Sequence, residues 1–404
     1  MKVFRLFVFV GLIVCLLAVP SEAFVLKVYG NANEDNTIDM RDVTYLKLIL
    51  FNKRQKTQFA DANFDGKIHV TDIVQVKLII LNKEAKIAVQ DTAGRNVTIA
   101  KPISKIVVLN SDSAEAVKIL GAGGKIVGIV DTVQRNTFYF PEISKKTVVG
   151  TWKEVDWEKV IELHPDLVIA YTTYGANVDI AEEKLSPFNV SVVGLNLYDP
   201  RTIREEIAIL GYILDKELRA YEYIDWWNKY ENEIKELVSN KPKPKVFVTS
   251  TSAIGKTSEI PTYGPGSTIN EIIEMVGGIN IAEELGTKYP KVDAEWVITK
   301  NPDIIIIKKS YKYYFDSEEE AKEYINQVLE GKGWDNISAI KNGRVYIVPW
   351  SAVYGSEQPF AIALFAKIAH PEIEIDPIAI YKEFLEDFMS LELPEDKVLI
   401  YPTP

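Results

Sequence analysis

Glu158-Lys159-Val160-Ile161-Glu162-Leu163-His164-Pro165-Asp166-Leu167-Val168-Ile169 reads as a helix that is stopped and turned into a strand. Val160, Ile161 and Leu163 offer an apolar helix face, and Pro165 forbids further helix. Leu167 to Ala170 is a short, wholly apolar run, as expected of a parallel strand covered on both faces. The arrangement recurs downstream, where Glu295 opens a helical stretch that ends before Asn301-Pro302-Asp303, and Ile304 to Ile307 follows. A helix, a Pro-Asp break and a buried strand, used twice, indicate an α/β fold with two doubly wound lobes in series.

The flanking sequence extends each copy. Ile106 to Leu109, Ile126 to Val130 and Val190 to Val193 read as further strands of the first lobe, and Val246 to Thr249 and Val345 to Val348 as strands of the second. Ser113 to Leu120, Trp157 to Leu163, Thr268 to Val276 and Pro359 to Ala369 carry helical periodicity between them. The first lobe spans 86–200 and the second 245–404. One charged amphipathic stretch, 216–239, lies between and contains Tyr221, Ile224, Trp227 and Ile234. As a helix it would run about 36 Å, enough to join the lobes. Pro242 and Pro244 end it.

Several blocks in order resemble one family. Asp91-Thr-Ala-Gly94-Arg95, Ile106-Val-Val-Leu109-Asn110, Gly150-Thr151-Trp152, the block from Glu158 to Ile169, Ile272-Ile-Glu-Met-Val-Gly277-Gly278-Ile-Asn280 and Asn301-Pro302-Asp303 are similar to the helical-backbone solute-binding proteins of iron-chelate, haem and vitamin B12 importers. The resemblance implies a ligand clamped between lobes joined by a stiff helix and delivered to an ABC transporter permease. It implies no catalysis. It also implies that Glu158 and Glu295, one per lobe, dock to permease arginines, and that Trp152, Tyr171 and Tyr289 contact ligand. Tyr174, Tyr354 and Asn110, at strand ends, join them as ligand-binding candidates, with Tyr198 and Tyr263 behind. Flat aromatic walls suit a macrocycle or planar chelate. Arginine is scarce there, with Arg135 the one in a first-lobe loop and Arg344 taken as structural. Anionic chelates are commonly met by arginine clusters. A cobalamin or other corrinoid is therefore favoured, with an iron siderophore or haem next.

Residues 29–83 form a separate unit. Asn31, Asn33, Asp35 and Asp42 recur 30 residues later as Asp61, Asn63, Asp65 and Asp72. Positions 1, 3, 5 and 12 of a twelve-residue loop, with the backbone carbonyl of position 7 (Thr37 or Lys67), supply the hard oxygens that Ca2+ requires. Gly66 suits the sharp turn at position 6, and Asn36 tolerates it. Val43, Leu46, Leu50 and Ile73, Val76, Ile80 mark one face of the helix after each loop. The pair resembles a dockerin, an all-α EF-hand-like domain. That resemblance implies two Ca2+ sites, the first weaker because Asn31 and Asn36 replace the usual Asp and Gly, and a cohesin-type partner.

Lys2, Arg5, the apolar run Phe7 to Val19 and Ser21-Glu22-Ala23 read as a signal peptide over 1–23. The single cysteine, Cys15, lies inside the apolar run and not in a lipobox, so an exported chain at the outer face of the cytoplasmic membrane or in the envelope is expected. The formal net charge of −11 speaks against nucleic acid as a partner. Three histidines, His69, His164 and His370, make no cluster for a catalytic zinc or a Ser-His pair. Gly255-Lys256-Thr257 lacks the first glycine of a phosphate loop, since Ser250 stands there. The rival to solute capture is a cell-surface adhesion or scaffold subunit that uses the dockerin-like unit without transport.

Overall fold

A computed structural model describes residues 24–310 and 312–404; the signal-peptide expectation lies outside them. The N-terminal unit holds α1 (Met40–Leu50) and α2 (Val70–Ile80). Each begins with a reciprocal cap. Asp42 accepts from the Asp39 N–H at 2.8 Å and Asp72 from the His69 N–H at 2.7 Å. Such bonds satisfy donors that the first helical turn leaves open. The helices face each other through Val43, Leu46, Ile49 and Ile73, Val76, Ile79, all buried. The expected Leu50 and Ile80 are half-buried and exposed instead. The inward face thus advances by one residue at its C-terminal end, where Ile79 closes over the backbone of Gly30.

A hairpin follows, β1 (Lys86–Gln90) paired antiparallel with β2 (Asn96–Ala100). Its turn is the Asp91 to Arg95 motif. The buried Asp91 carboxylate takes the Arg95 guanidinium at 2.7 Å and the Gly194 N–H at 3.0 Å. The motif therefore ties the hairpin to the first-lobe sheet.

That lobe contains β3 (Ile106–Val108), α3 (Ser111–Ile119), β4 (Ile126–Ile129), α4 (Asp131–Arg135), β5 (Thr147–Val148), α5 (Trp157–Glu162), β6 (Leu167–Ala170), α6 (Val178–Leu185) and β7 (Ser191–Gly194). The strands are parallel in the order β5-β4-β3-β6-β7, doubly wound about β3. Two helices then connect the lobes, α7 (Ile203–Leu214) and α8 (Glu217–Val238). The second lobe contains β8 (Lys245–Ser250), the short ribbon β9 (Ile260–Pro261), α9 (Thr268–Met275), β10 (Ile279–Asn280), β11 (Lys291–Val292), α10 (Ala294–Lys300), β12 (Ile304–Lys309), α11 (Glu318–Leu329), α12 (Ser338–Lys341) and β13 (Val345–Pro349). Its parallel sheet has the order β10-β8-β12-β13, again wound both ways from its first strand. Alternation assigns each side chain to a face. Val246, Val248, Ile304 and Ile306 join the core shared with the first lobe, and Phe247, Ile305 and Ile307 join a second core beneath α10–α12. Finally α13 (Gln358–Ala369) and α14 (Pro377–Glu383) return against α8 and the first lobe, where the Tyr381 and Tyr139 hydroxyls meet at 2.8 Å.

The N-terminal unit is bound into this body. Lys27 and Tyr29 hydrogen-bond along β1, to Gln90 and Ala88. The Tyr212 hydroxyl accepts the Ile38 N–H at 2.8 Å, and the Tyr221 hydroxyl donates to the Asn36 carbonyl. The buried Lys101 ammonium joins Glu84 of the unit's end to Asp215, the left-handed residue between α7 and α8. One continuous core runs from Leu26 and Val43 into the lobes. Replacing Tyr212 with Phe removes the acceptor for Ile38 while keeping the ring. A loss of about 1 kcal/mol per bond is expected for Tyr212→Phe and Tyr221→Phe. Ile38 amide exchange should then rise roughly fivefold in Tyr212→Phe. Unchanged exchange across 31–42 in both variants would contradict this attachment.

Candidate ligand cleft

Parallel strands deliver their carboxyl ends to one edge of each sheet, and here the two edges face each other. They bound a cavity of about 910 Å³. The first lobe contributes Asp112 and Glu115 from α3, Arg135 to Phe138 after α4, and Tyr171 after β6. The second contributes Lys312, Tyr313 and Tyr314 beyond β12, with Trp350 and Tyr354 beyond β13.

The walls are aromatic. Tyr171 meets Tyr198 edge-on at 5.6 Å, Tyr198 stacks on Tyr354 at 5.7 Å, and Trp350 lies 5.4 Å from Tyr354. Phe138 packs on Tyr314 at 5.5 Å. The Tyr198 carbonyl accepts from the Gln358 amide at 2.6 Å, tying first-lobe loop to second-lobe helix.

The floor is acidic. Asp112 is 5% exposed, Glu115 4% and Glu357 0%. The three converge on Gly355, whose φ is +119°. A Cβ there would stand 3.3 Å from Glu357 Oε2, 3.7 Å from Glu115 Oε2 and 3.8 Å from Asp112 Oδ1. Tyr171 donates its hydroxyl to Asp112. Among the described residues no N–H group or cation reaches Glu115 Oε1 or either oxygen of Glu357. Burial pushes Asp112 up to about 7, against the lowering effect of the Tyr171 bond. Burial likewise pushes Glu115 up to about 8. Glu357 rises well above the usual carboxyl range through burial and then the charge of Glu115. Adjacent buried carboxyls hold protons because their anions would be desolvated and would repel one another.

Of the sequence candidates, Tyr171 and Tyr354 line the cavity. Tyr174 and Tyr289, both exposed, flank Lys288 at 6.0 Å and 5.5 Å from its ammonium, bringing one tyrosine from each lobe together outside the cavity lining. Tyr263 lies 6.3 Å from Tyr289. Trp152 supports the 172–176 loop: its carbonyl accepts the Ala176 N–H at 2.9 Å, and its ring lies against Gly175. Asn110 is the buried N-cap of α3, accepting the Ser113 N–H at 2.7 Å, and does not line the cavity. Arg135 reaches the lining but pairs with Asp131 at 2.9 Å, and Arg344 caps α13 through the Ile368 and Ala369 carbonyls. Asp112, Glu115, Glu357, Trp350, Tyr313 and Tyr314 were not singled out from sequence. A signal was present in Asp112 and Glu115, two acids three apart in the first turns of a helix directly after a buried strand.

Glu158 and Glu295 stand in matching places. Each is exposed and second in its helix, behind the N-caps Asp156 and Asp293. Asp166 and Asp303, after each helix, accept the N–H of Lys105 and Lys245 at 2.8 Å, where the first strand of each lobe begins.

The two N-terminal loops repeat their internal bonds at the same offset. Asn33 and Asn63 N–H donate to Asp42 and Asp72 at 3.1 Å, and Thr37 and Lys67 N–H to Asp35 and Asp65 at 2.9 Å and 3.0 Å. In the second loop Asp61 accepts the Gly66 N–H at 2.7 Å. In the first, the wholly buried Asn31 donates to the Leu26 and Asp35 carbonyls, and among the described residues no hydrogen-bond partner reaches its Oδ1. No group of three or more His, Cys, Asp or Glu among the described residues is gathered as a metal site. The donors are nonetheless all hard oxygens, with an orphaned one at the first position, and this chemistry fits Ca2+.

Comparison with known proteins agrees with this geometry. Residues 106–352 match the family model described as periplasmic binding protein, and residues 29–81 that of the dockerin type I domain. An uncharacterised ABC transporter substrate-binding lipoprotein of Bacillus subtilis is 28% identical over 269 residues, covering 65% of this chain and 78% of its own. A molybdate-binding protein of Haemophilus influenzae is 25% identical, covering 70% and 85%. A TroA-like periplasmic binding protein from Veillonella parvula superposes with a TM-score of 0.66 at 23% identity, covering 78% and 98%, which shows the fold.

The floor makes stability depend on pH. Carboxyls raised in the folded state bind more protons there than when unfolded, so stability falls as pH rises from about 5 to 8. Glu357→Gln should flatten the fall by up to about 1.4 kcal/mol per pH unit, one proton's worth. Denaturant titrations at pH 5, 6.5 and 8 measure it; parallel curves for both proteins would contradict the buried pair.

Proposed function

The chain belongs to the periplasmic binding protein family, and from that premise we propose that it captures a metal chelate in the cleft and delivers it to an ABC transporter permease. Like its relatives it is a solute-binding protein and not an enzyme. The observation that carries the ligand class is the cavity itself: large, walled by Tyr171, Tyr354, Trp350 and Phe138, and floored by carboxyls. Aromatic faces take up the flat rim of a macrocycle. A corrinoid is the favoured ligand, its peripheral amides being hydrogen-bond partners for the floor's carboxyls, with an iron siderophore or haem next. Molybdate, named for the Haemophilus relative, is a dianion whose charge an acidic floor does not offset.

Glu158 and Glu295 dock the lobes to permease arginines. Their support is the matched position, one exposed carboxylate at the start of an equivalent helix on each lobe. Two charges at fixed separation set orientation as well as affinity. The dockerin-like unit binds Ca2+ in both loops and attaches the receptor to a cohesin-type partner. Its support is the duplicated oxygen set and the matched family model.

Three measurements test this. Tryptophan quenching with cyanocobalamin, a ferric trihydroxamate and haemin should find one that binds; binding of none overturns the chelate reading. Glu158→Gln with Glu295→Gln should keep ligand affinity and weaken the permease complex by about 2–5 kcal/mol; lost ligand affinity with normal permease binding would put these residues on the wrong surface. Chelation of Ca2+ should lower the helical signal and melting temperature of the full chain, and an unchanged melt would remove the calcium role.

A further inference from the structure

The carboxyl floor has a consequence for which ligands the cleft accepts. Asp112 and Glu115 line the cavity while more than nine-tenths buried. Glu115 interacts with the Glu357 carboxyl through a shared proton, and no N–H group or cation among the described residues reaches its Oε1. The groups packed around the floor leave it acidic. From the same helix, the charge of Lys118 favours ionised Glu115 but does not outweigh burial, and its ammonium donates to the Tyr139 carbonyl. From α7, Glu206 adds a further buried acid, held by Thr92 and the Asn196 and Leu197 N–H groups. From the second lobe comes Glu357, and tyrosines 139, 223, 313 and 381 surround the pair. Of the nearby cations, Arg135 pairs with Asp131 and Lys312 with Glu320 and Asp316. Lys308, at the end of β12, lies 4.6 Å over the Trp350 and Tyr263 rings, against the aromatic wall, where burial lowers it to about 8.

We infer that the cleft selects a ligand that presents a positive charge to Asp112 and Glu115 between the aromatic walls. The inference rests on the chelate-receptor reading and names the charge class of its ligand. Aromatic faces attract cations, and a buried carboxylate is stabilised by a cation that replaces its lost water. Without ligand the acids hold protons in common. A cation entering the floor makes their ionised forms favourable, so a proton leaves to solvent as it binds. Affinity for a cationic ligand therefore rises with pH between about 6 and 8, the range set by Asp112 and Glu115.

Calorimetric titration of the full chain tests this with probes matched in shape and differing in charge. One pair is aquacobalamin, a cation, and neutral cyanocobalamin, which differ only in one axial ligand. The other is a linear ferric trihydroxamate with a pendant ammonium and its neutral cyclic counterpart. Haemin supplies the anionic arm. Runs in buffers of different ionisation enthalpy count protons. The cationic member of a pair should bind about tenfold tighter than the neutral one, releasing close to one proton at pH 7. Glu115→Gln should bring that ratio towards one; if it does not fold, the wild-type proton count still decides. Equal affinity within each pair without proton release, or a preference for haemin, overturns the charge selection and leaves the receptor reading intact. Binding of no probe overturns the receptor reading and this inference with it.

Discussion

Burial of helix Glu217–Val238 on several sides organises the molecule. Tyr223, Trp226, Trp227 and Ile234 are taken from water along its length. Trp226 packs on Phe384 and Phe388, and the Tyr223 hydroxyl donates to the Ser356 carbonyl beside the cleft floor. Within it, the buried Glu231 carboxylate is held by the Trp227 indole at 3.0 Å and the Arg204 guanidinium at 2.6 Å. A helix so gripped, about 33 Å long, acts as a stiff spar between the lobes.

This helix and α7 before it carry the N-terminal unit. Tyr212 and Tyr221, one before and one after the α7–α8 turn, hold backbone groups at positions 6 and 8 of the first loop. The second loop is left facing solvent, with Asp65, Gly66 and Lys67 exposed. A duplicated sequence has therefore become two unequal environments. The first loop packs against the body of the protein and the second is open to solvent.

The cleft combines two tendencies that oppose each other in water. Aromatic walls favour apolar surface, while buried carboxyls are costly unless they keep a proton or acquire a cation. Gly355 allows the combination. Its left-handed φ turns the chain between Tyr354, on the wall, and Glu357, in the floor, and a Cβ there would crowd Glu357 and touch Glu115 and Asp112.

Much of this was legible in the sequence. Strands such as Leu167–Ala170 and Ile304–Lys309 appear as apolar runs because both of their faces are covered, and Pro165 and Pro302 mark where helices must stop. The duplicated loops were legible because their oxygen-bearing side chains recur at a fixed spacing within a single stretch of chain. The helix faces were legible to within one residue, Ile49 and Ile79 replacing Leu50 and Ile80 at the core, because periodicity states a direction and packing chooses the side chain. Glu115 and Glu357 were not legible as a pair. They lie 242 residues apart, and whether a carboxyl is a solvated charge or a buried acid depends on what the fold brings against it. Nor could sequence show that Tyr212 and Tyr221 grip the first of the duplicated loops more than 170 residues away. Local periodicity and ion-ligand spacing are properties of contiguous chain, so the sequence alone determined the two lobes, the connecting helix and the duplicated loops. The charge of the cleft and the attachment of the N-terminal unit arise from contacts between distant segments, and only the tertiary structure decided them.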